Sequence, residues 1–192
     1  LTGLELLMVM LAGVSLPRPE YNKMMKDLIA ALKANGPRIK PKVRLLYTGG
    51  HADNPEFFEL LQQNDAHVVS DNTGFGTRAA DVLICEDGDP LEAIINYYFE
   101  EKPAATRQMG TQVERMERLL DLVKQYKADG VVASRLYMCD LWAFEHFLMR
   151  KRLHENNVPF LELEVDYTPE GQGQIKTRVQ AFVESLADRQ TA

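Results

Sequence analysis

From Val43 onward the chain alternates short β-rich runs with longer helical ones, and no other feature constrains its fold as tightly. Val43 to Thr48 is a compact apolar run that stops at Gly49 and Gly50. Pro55 to Asn64 then has helical character, with Asp53 or Asn54 as its cap. Ala66 to Ser70 predicts a second strand and Pro90 to Glu100 a second helix. Gln108 to Tyr126 carries Val113, Met116, Leu120 and Val123 on one stripe, and Gly130 to Ser134 follows as a third strand. Leu141 to Glu155 is a helix rich in aromatics and Phe160 to Val165 a strand. Gly173 to Leu186 closes the series with Ile175, Val179, Phe182, Val183 and Leu186 facing inward. Strands joined by crossover helices imply right-handed units and helices on both faces of a parallel sheet. The expected fold is a doubly wound, Rossmann-like α/β domain over residues 42–190 with a mainly parallel four-stranded sheet. In the last strand Leu161, Leu163 and Val165 alternate with Glu162, Glu164 and Asp166, which places it at an edge.

Ahead of this domain, Thr2 to Ala12 and Glu20 to Ala34 both have helical spacing, so residues 1–36 read as a helical hairpin, the remnant of a preceding domain. Ala34 to Pro41, with Gly36 and Pro37, is the linker. Met8, Met10, Met24 and Met25 lie on the helical apolar faces and read as packing rather than as a soft-metal box. The chain starts at Leu1 rather than Met, which suggests a fragment. Its 22 Lys and Arg against 28 Asp and Glu give a net charge of −6, which excludes a broadly basic nucleic-acid partner. No run approaches the roughly 18 apolar residues of a spanning helix, so no membrane partner is expected. With no basic leader and two cysteines, a cytoplasmic, reduced setting is expected.

In such sheets ligands collect beyond the carboxyl ends of the strands, which draws attention to the loops after Thr48, Ser70, Ser134 and Val165. The loop Asp71, Asn72, Thr73, Gly74, Phe75, Gly76, Thr77, Arg78 reads in two ways. It is an anion site built from glycine-freed N–H groups and an arginine fork, or a tight turn needing positive φ at Gly74 and Gly76. Neither a dinucleotide fingerprint nor a phosphate-binding P-loop motif is present. Cys139 sits between the third strand and the next helix. A helix N-terminus favours the thiolate that binds metal, whereas an apolar neighbourhood favours plain packing. Cys85 has no CxxC spacing and reads more readily as packing. Of the histidines, His51 at a strand end is placed to orient a ligand, while His67, His146 and His154 read as surface or packing residues. There is no nucleophile-elbow motif, and the acidic face ending at Asp166 reads as a solvated edge. Trp142, Phe144 and Phe147 are expected in the core rather than at a subunit interface.

Several blocks taken together carry a resemblance. Asp129-Gly130-Val131-Val132 precedes Cys139-Asp140, and the run Val158-Pro159-Phe160-Leu161-Glu162-Leu163-Glu164 leads to Asp166-Tyr167. Gly173-Gln174-Ile175-Lys176-Thr177-Arg178-Val179-Gln180-Ala181-Phe182-Val183-Glu184 closes the chain. With Val43-Arg44-Leu45-Leu46 before Thr48-Gly49, the Asp71 to Arg78 loop, and Asp89-Pro90-Leu91-Glu92-Ala93 before Tyr97 and Pro103, the order resembles the 2-hydroxyacyl-CoA dehydratase and benzoyl-CoA reductase family over nearly the whole chain. The resemblance implies the C-terminal half of a subunit that is about twice as long. It further implies a 4Fe-4S cluster held by cysteines, a related second subunit, an ATP-dependent iron-sulfur activator protein, and an acyl-CoA substrate converted through a ketyl-type radical of its thioester. Cys139 matches a family cysteine, and Cys85 is a weaker second thiol. Where a further family cysteine commonly follows the proline matched by Pro103, this chain has Ala104. The ligand set in the chain is therefore incomplete, and no catalytic residue is identified. Two other readings remain: a cluster-free paralogue serving as structural partner or activator-docking module, and an anion-binding α/β domain using Arg78 with Gly74 and Gly76.

Overall fold

The computed structural model describes residues 1–36, 39–50, 54–62, 65–166 and 172–191. Its four strands are β1 (Val43–Gly49), β2 (Ala66–Asn72), β3 (Gly130–Leu136) and β4 (Phe160–Val165), all parallel, in the order β2-β1-β3-β4. The connecting helices are α3 (Pro55–Leu61), α4 (Pro90–Asn96), α5 (Gln112–Gln125) and α6 (Asp140–Glu155). The N-terminal pair is α1 (Gly3–Ser15) and α2 (Arg18–Asn35), and α7 (Gln172–Thr191) follows the last strand. Asn54 caps α3 by accepting from Glu56 and Phe57 N–H, and Asp89 caps α4 through Leu91 and Glu92 N–H.

Burial follows strand position. β1 lies between β2 and β3, and six of its seven residues are buried, as a near-continuous apolar run requires. β4 is at the edge and only Leu163 of it is buried, in keeping with its alternating carboxylates. Two apolar layers cover the sheet. On one face Leu45, Tyr47, Val68 and Val132 pack with Leu7 of α1, Phe58 and Leu61 of α3, and Val179, Val183 and Leu186 of α7. On the other, Leu46, Val131 and Ala133 pack with Met116, Leu119, Leu120 and Val123 of α5 and with Trp142, Met149 and Leu153 of α6.

Some sequence expectations fail at the surface. α1 shares the sheet's core through Leu7, but α2 buries no residue, and Met8 and Met24 are about half exposed rather than packed. Val113 leads the α5 stripe yet is exposed, because the core contact begins a turn later at Met116. Phe144 and Phe147 are exposed at 62% and 57%, whereas Trp142 on the same helix is buried. Within α6, residues two and five positions from Trp142 point away from the sheet that Trp142 packs on. Among the described residues no helix is long and apolar enough to cross a membrane.

Candidate functional site

β2 runs two residues beyond its expected end, so Asp71 and Asn72 are strand-end residues rather than loop. Asp71 is buried. Its Oδ1 accepts from Thr73 N–H at 3.0 Å, Thr73 Oγ1 at 2.7 Å and Thr77 N–H at 3.2 Å, and Thr77 Oγ1 donates to the Asp71 carbonyl. Burial pushes the Asp71 carboxyl up, against those donors and the nearby Arg78. The turn therefore spends two of its N–H groups on its own aspartate. Gly74 and Gly76 do not have positive φ: Gly76 has φ −102°. The expected left-handed turn is replaced by close approach, since a side chain at Gly76 would collide with the Asp71 carboxylate and the Thr73 hydroxyl. Asn72 is buried, and its Oδ1 has no hydrogen-bond partner among the described residues.

What remains of the anion site is Arg78, which follows in a single turn of 3₁₀-helix, Thr77–Ala79. Burial and the neighbouring Arg118 lower its proton affinity, while Asp71 acts in the opposite direction. Its two arginine neighbours are already paired. Arg115 forms a fork with buried Glu145, with Nε to Oε1 at 2.7 Å and Nη2 to Oε2 at 2.8 Å, and Arg118 pairs with Asp81.

Cys139 is the N-cap residue of α6. Its N–H donates to the Leu136 carbonyl at 3.1 Å and its carbonyl accepts from Ala143 N–H at 2.9 Å. Half-buried, it both packs against the α5/α6 apolar layer and lines a cavity of about 420 Å³ beyond the carboxyl ends of β1, β2 and β3. Gly50, Gly74, Arg78, Ala105 to Arg107, Leu136 and Trp142 are among the other residues of the wall. The packing reading of Cys139 holds, and its thiol also borders open space at the sheet's carboxyl edge. Arg78 and Gly74, 61 and 65 residues earlier, meet it at the predicted sheet edge.

The segment 105–107 is the part that the sequence did not reveal. Its shape depends on Arg115, whose Nη1 donates to the carbonyls of Ala105 and Gln108, both at 3.2 Å. Ala104 lines a neighbouring cavity with Pro103 and Arg115, one residue from the Cys139 wall. Cys85 is exposed, 3.7 Å from the Asp87 carbonyl, and lines neither of these cavities. His51 and Asp53 lie outside the described residues. His146 is fully buried between Trp142 and Phe160, with Nδ1 3.4 Å from Glu162 Oε1, and burial depresses its proton affinity.

A 4Fe-4S cluster needs several thiolates around one space. The Cys139 cavity has one, and among the described residues no group of three or more His, Cys, Asp or Glu is arranged to hold a metal ion. The described residues by themselves fit a single ligand position and not a whole cluster.

Comparison with known proteins decides the family. The model of the 2-hydroxyglutaryl-CoA dehydratase D-component matches residues 1–186. The chain belongs to that dehydratase family. Among its relatives, a provisionally named dehydratase subunit of Escherichia coli (strain K12), YjiM, is 29% identical over 79% of this chain and 39% of its own length. The (R)-phenyllactyl-CoA dehydratase beta subunit of Clostridium sporogenes is 24% identical over 93% of this chain and 47% of its own. A benzoyl-CoA reductase subunit of Thauera aromatica is 22% identical over 95% and 48%. The dehydratase-family chain described here spans about half the length of these curated relatives or less.

Proposed function

We propose that this chain is the C-terminal half of a subunit of an oxygen-sensitive 2-hydroxyacyl-CoA dehydratase or benzoyl-CoA reductase. In this reading Cys139 supplies one thiolate to a 4Fe-4S cluster whose other ligands lie outside these 192 residues. The observation that carries it is the meeting of Cys139, at a helix N-terminus, with the 105–107 wall in one cavity at the sheet's carboxyl edge. With a cluster bound at Cys139, the chemistry supplied would be low-potential single-electron transfer toward a ketyl-type radical of a substrate thioester, as loss of water or ring reduction requires. Within this chain Cys139 sits at the N-cap of α6 and shares its cavity with Leu136 and Trp142 and with Gly74 and Arg78 of the turn after β2. A related second subunit, an ATP-dependent iron-sulfur activator and an acyl-CoA substrate complete the reading, in the cytoplasm. The expected outcome in anaerobic assays of the full-length protein with its partner and activator is turnover that falls at least ~100-fold in Cys139→Ser. Unchanged turnover overturns the ligand role.

Ala104 favours a second reading, since it replaces a thiol that the family commonly has at that position. A cluster-free paralogue acting as structural partner or activator-docking module keeps this scaffold and binds no iron.

A further inference from the structure

β4 ends the sheet on one side, and its outer edge is open among the described residues. Val131 N–H donates to the Pro159 carbonyl and Tyr137 N–H to that of Val165, so these residues and the alternate ones between them face β3. Phe160, Glu162 and Glu164 therefore turn their N–H and C=O groups outward. Arg178 of α7 agrees with that direction, since its Nη2 donates to the Glu162 carbonyl at 2.7 Å. The outward edge lines a groove of about 850 Å³ between α6 and α7, which shares no lining residue with the Cys139 cavity among the described residues.

The groove is cationic in a chain of net charge −6. Arg135, Arg150, Arg178 and Arg189 line it with two carboxylates, Glu162 and Glu164. Arg135 pairs with both carboxylates and Arg150 with Glu162, so the negative charge of the groove is already compensated. Arg178 is set on a neutral carbonyl, and Arg178 and Arg189 are exposed on α7. The surplus is positive, and it stands beside a row of outward backbone groups.

We propose that β4 is a docking edge for an extended acidic segment of a partner protein, which adds to it as a fifth strand. The outward N–H and C=O groups of Phe160 and Glu164 attach the incoming backbone, and the arginines select aspartate or glutamate side chains. A second copy of this chain is the poorer occupant, because pairing β4 with β4 sets surplus arginine against surplus arginine.

The test uses the full-length protein that contains this sequence and follows the anisotropy of a fluorescein-labelled octapeptide of alternating valine and glutamate. Two control octapeptides carry lysine in place of glutamate, or proline in place of valine at unchanged charge. Saturable binding of the valine–glutamate peptide is expected, about tenfold or more tighter than either control. Reversing charge in the double variant Arg178→Glu, Arg189→Glu is expected to weaken it about tenfold or more, whereas Lys124→Glu, outside the groove, leaves it unaltered. Glu164→Ala and Glu164→Pro separate backbone pairing from charge. Both remove the same carboxylate and its Arg135 partner, but only proline also removes an outward N–H, with the ladder to β3 intact. Glu164→Ala is expected to bind at least as tightly as the parent, and Glu164→Pro about tenfold less tightly than Glu164→Ala. Melting temperatures check that each variant is folded; if Glu164→Pro is not, the proline peptide and the arginine variant decide. No saturable binding, equal affinity for the valine–glutamate and proline–glutamate peptides, or no loss in the arginine variant overturns the proposal. So does a dimer of the parent protein, seen by sedimentation, that Glu164→Pro dissolves, since the occupant is then a second copy.

Discussion

Arg115 on α5 and Glu145 on α6 grip one another through two parallel hydrogen bonds of 2.7 and 2.8 Å, with 7% and 3% of their side chains exposed. The same arginine holds the Ala105 and Gln108 carbonyls, so one buried ion pair ties the two helices to the wall of the Cys139 cavity. Removing the carboxylate leaves a buried guanidinium without its countercharge. Glu145→Ala is expected to lose about 3–5 kcal/mol of unfolding free energy in a urea titration. A loss below about 1 kcal/mol, the range of exposed pairs, contradicts the structural role given to this pair.

The turn after β2 depends on a missing side chain. Gly76→Ala brings a methyl group into the Asp71 carboxylate, and the Thr73 and Thr77 hydrogen bonds must break or shift to admit it. The expected cost is about 1–3 kcal/mol. Gly110→Ala tests a different cause, since Gly110 has φ of 83° but nothing near its absent side chain. Double substitution Gly76→Ala with Asp71→Ala is expected to recover part of the Gly76→Ala loss, and strict additivity of the two losses argues against the collision.

Stability is expected to fall as pH drops from about 7 toward about 5.5, with His146 as the cause. Burial keeps this imidazole neutral in the folded chain, below its ordinary value of 6.5. The unfolded chain then binds a proton that the folded chain refuses, and the contribution is present above 6.5 and lost as pH falls below it. One such group gives a slope of at most about 1.4 kcal/mol per pH unit. Glu162 is buried in part, but Arg150 and His146 hold it below its ordinary 4.5, so its loss has the same sign at lower pH. Asp71, raised above 3.8, has the opposite sign. The slope that disappears in His146→Leu, read as a difference from the parent protein across the same pH interval, isolates the histidine. An unchanged slope refutes the assignment.

The aromatic residues of α6 separate by burial. Trp142→Ala is expected to cost about 3–5 kcal/mol, because the indole is 8% exposed within the α5/α6 layer. Phe144→Ala and Phe147→Ala, at 62% and 57% exposure, are expected to stay within about 0.5 kcal/mol. Thermal unfolding of the three variants checks the order.

The alternation that begins at Val43 is sufficient to read the parallel order of elements and the edge position of β4, because crossover connections and buried parallel strands leave a clear apolar pattern. Cys139 at the start of α6 is equally legible, since the end of an apolar run and the start of a periodic one bracket it. The Asp71 turn is legible in position but not in cause. Two glycines signal conformational freedom, and only the packed structure shows that Gly76 makes room for a carboxylate. The 105–107 wall is invisible in the sequence because its shape comes from Arg115, a residue from another element, whose charge says nothing of which carbonyls it will hold. The exposure of Met8, Met24, Phe144 and Phe147 is illegible for a related reason. Apolar character at helical spacing shows a face but not whether anything in the chain covers it.

Iron binding by Cys139, as proposed above, is open to direct test by anaerobic iron and acid-labile sulfide analysis with EPR. The measurement compares the full-length protein that contains this sequence, reconstituted without oxygen, with its Cys139→Ser variant. The expected result is a reducible cluster signal in the parent and its loss or replacement in the variant, with unchanged melting temperature. A parent protein without iron, or a variant with the same iron, sulfide and EPR signal as the parent, contradicts it.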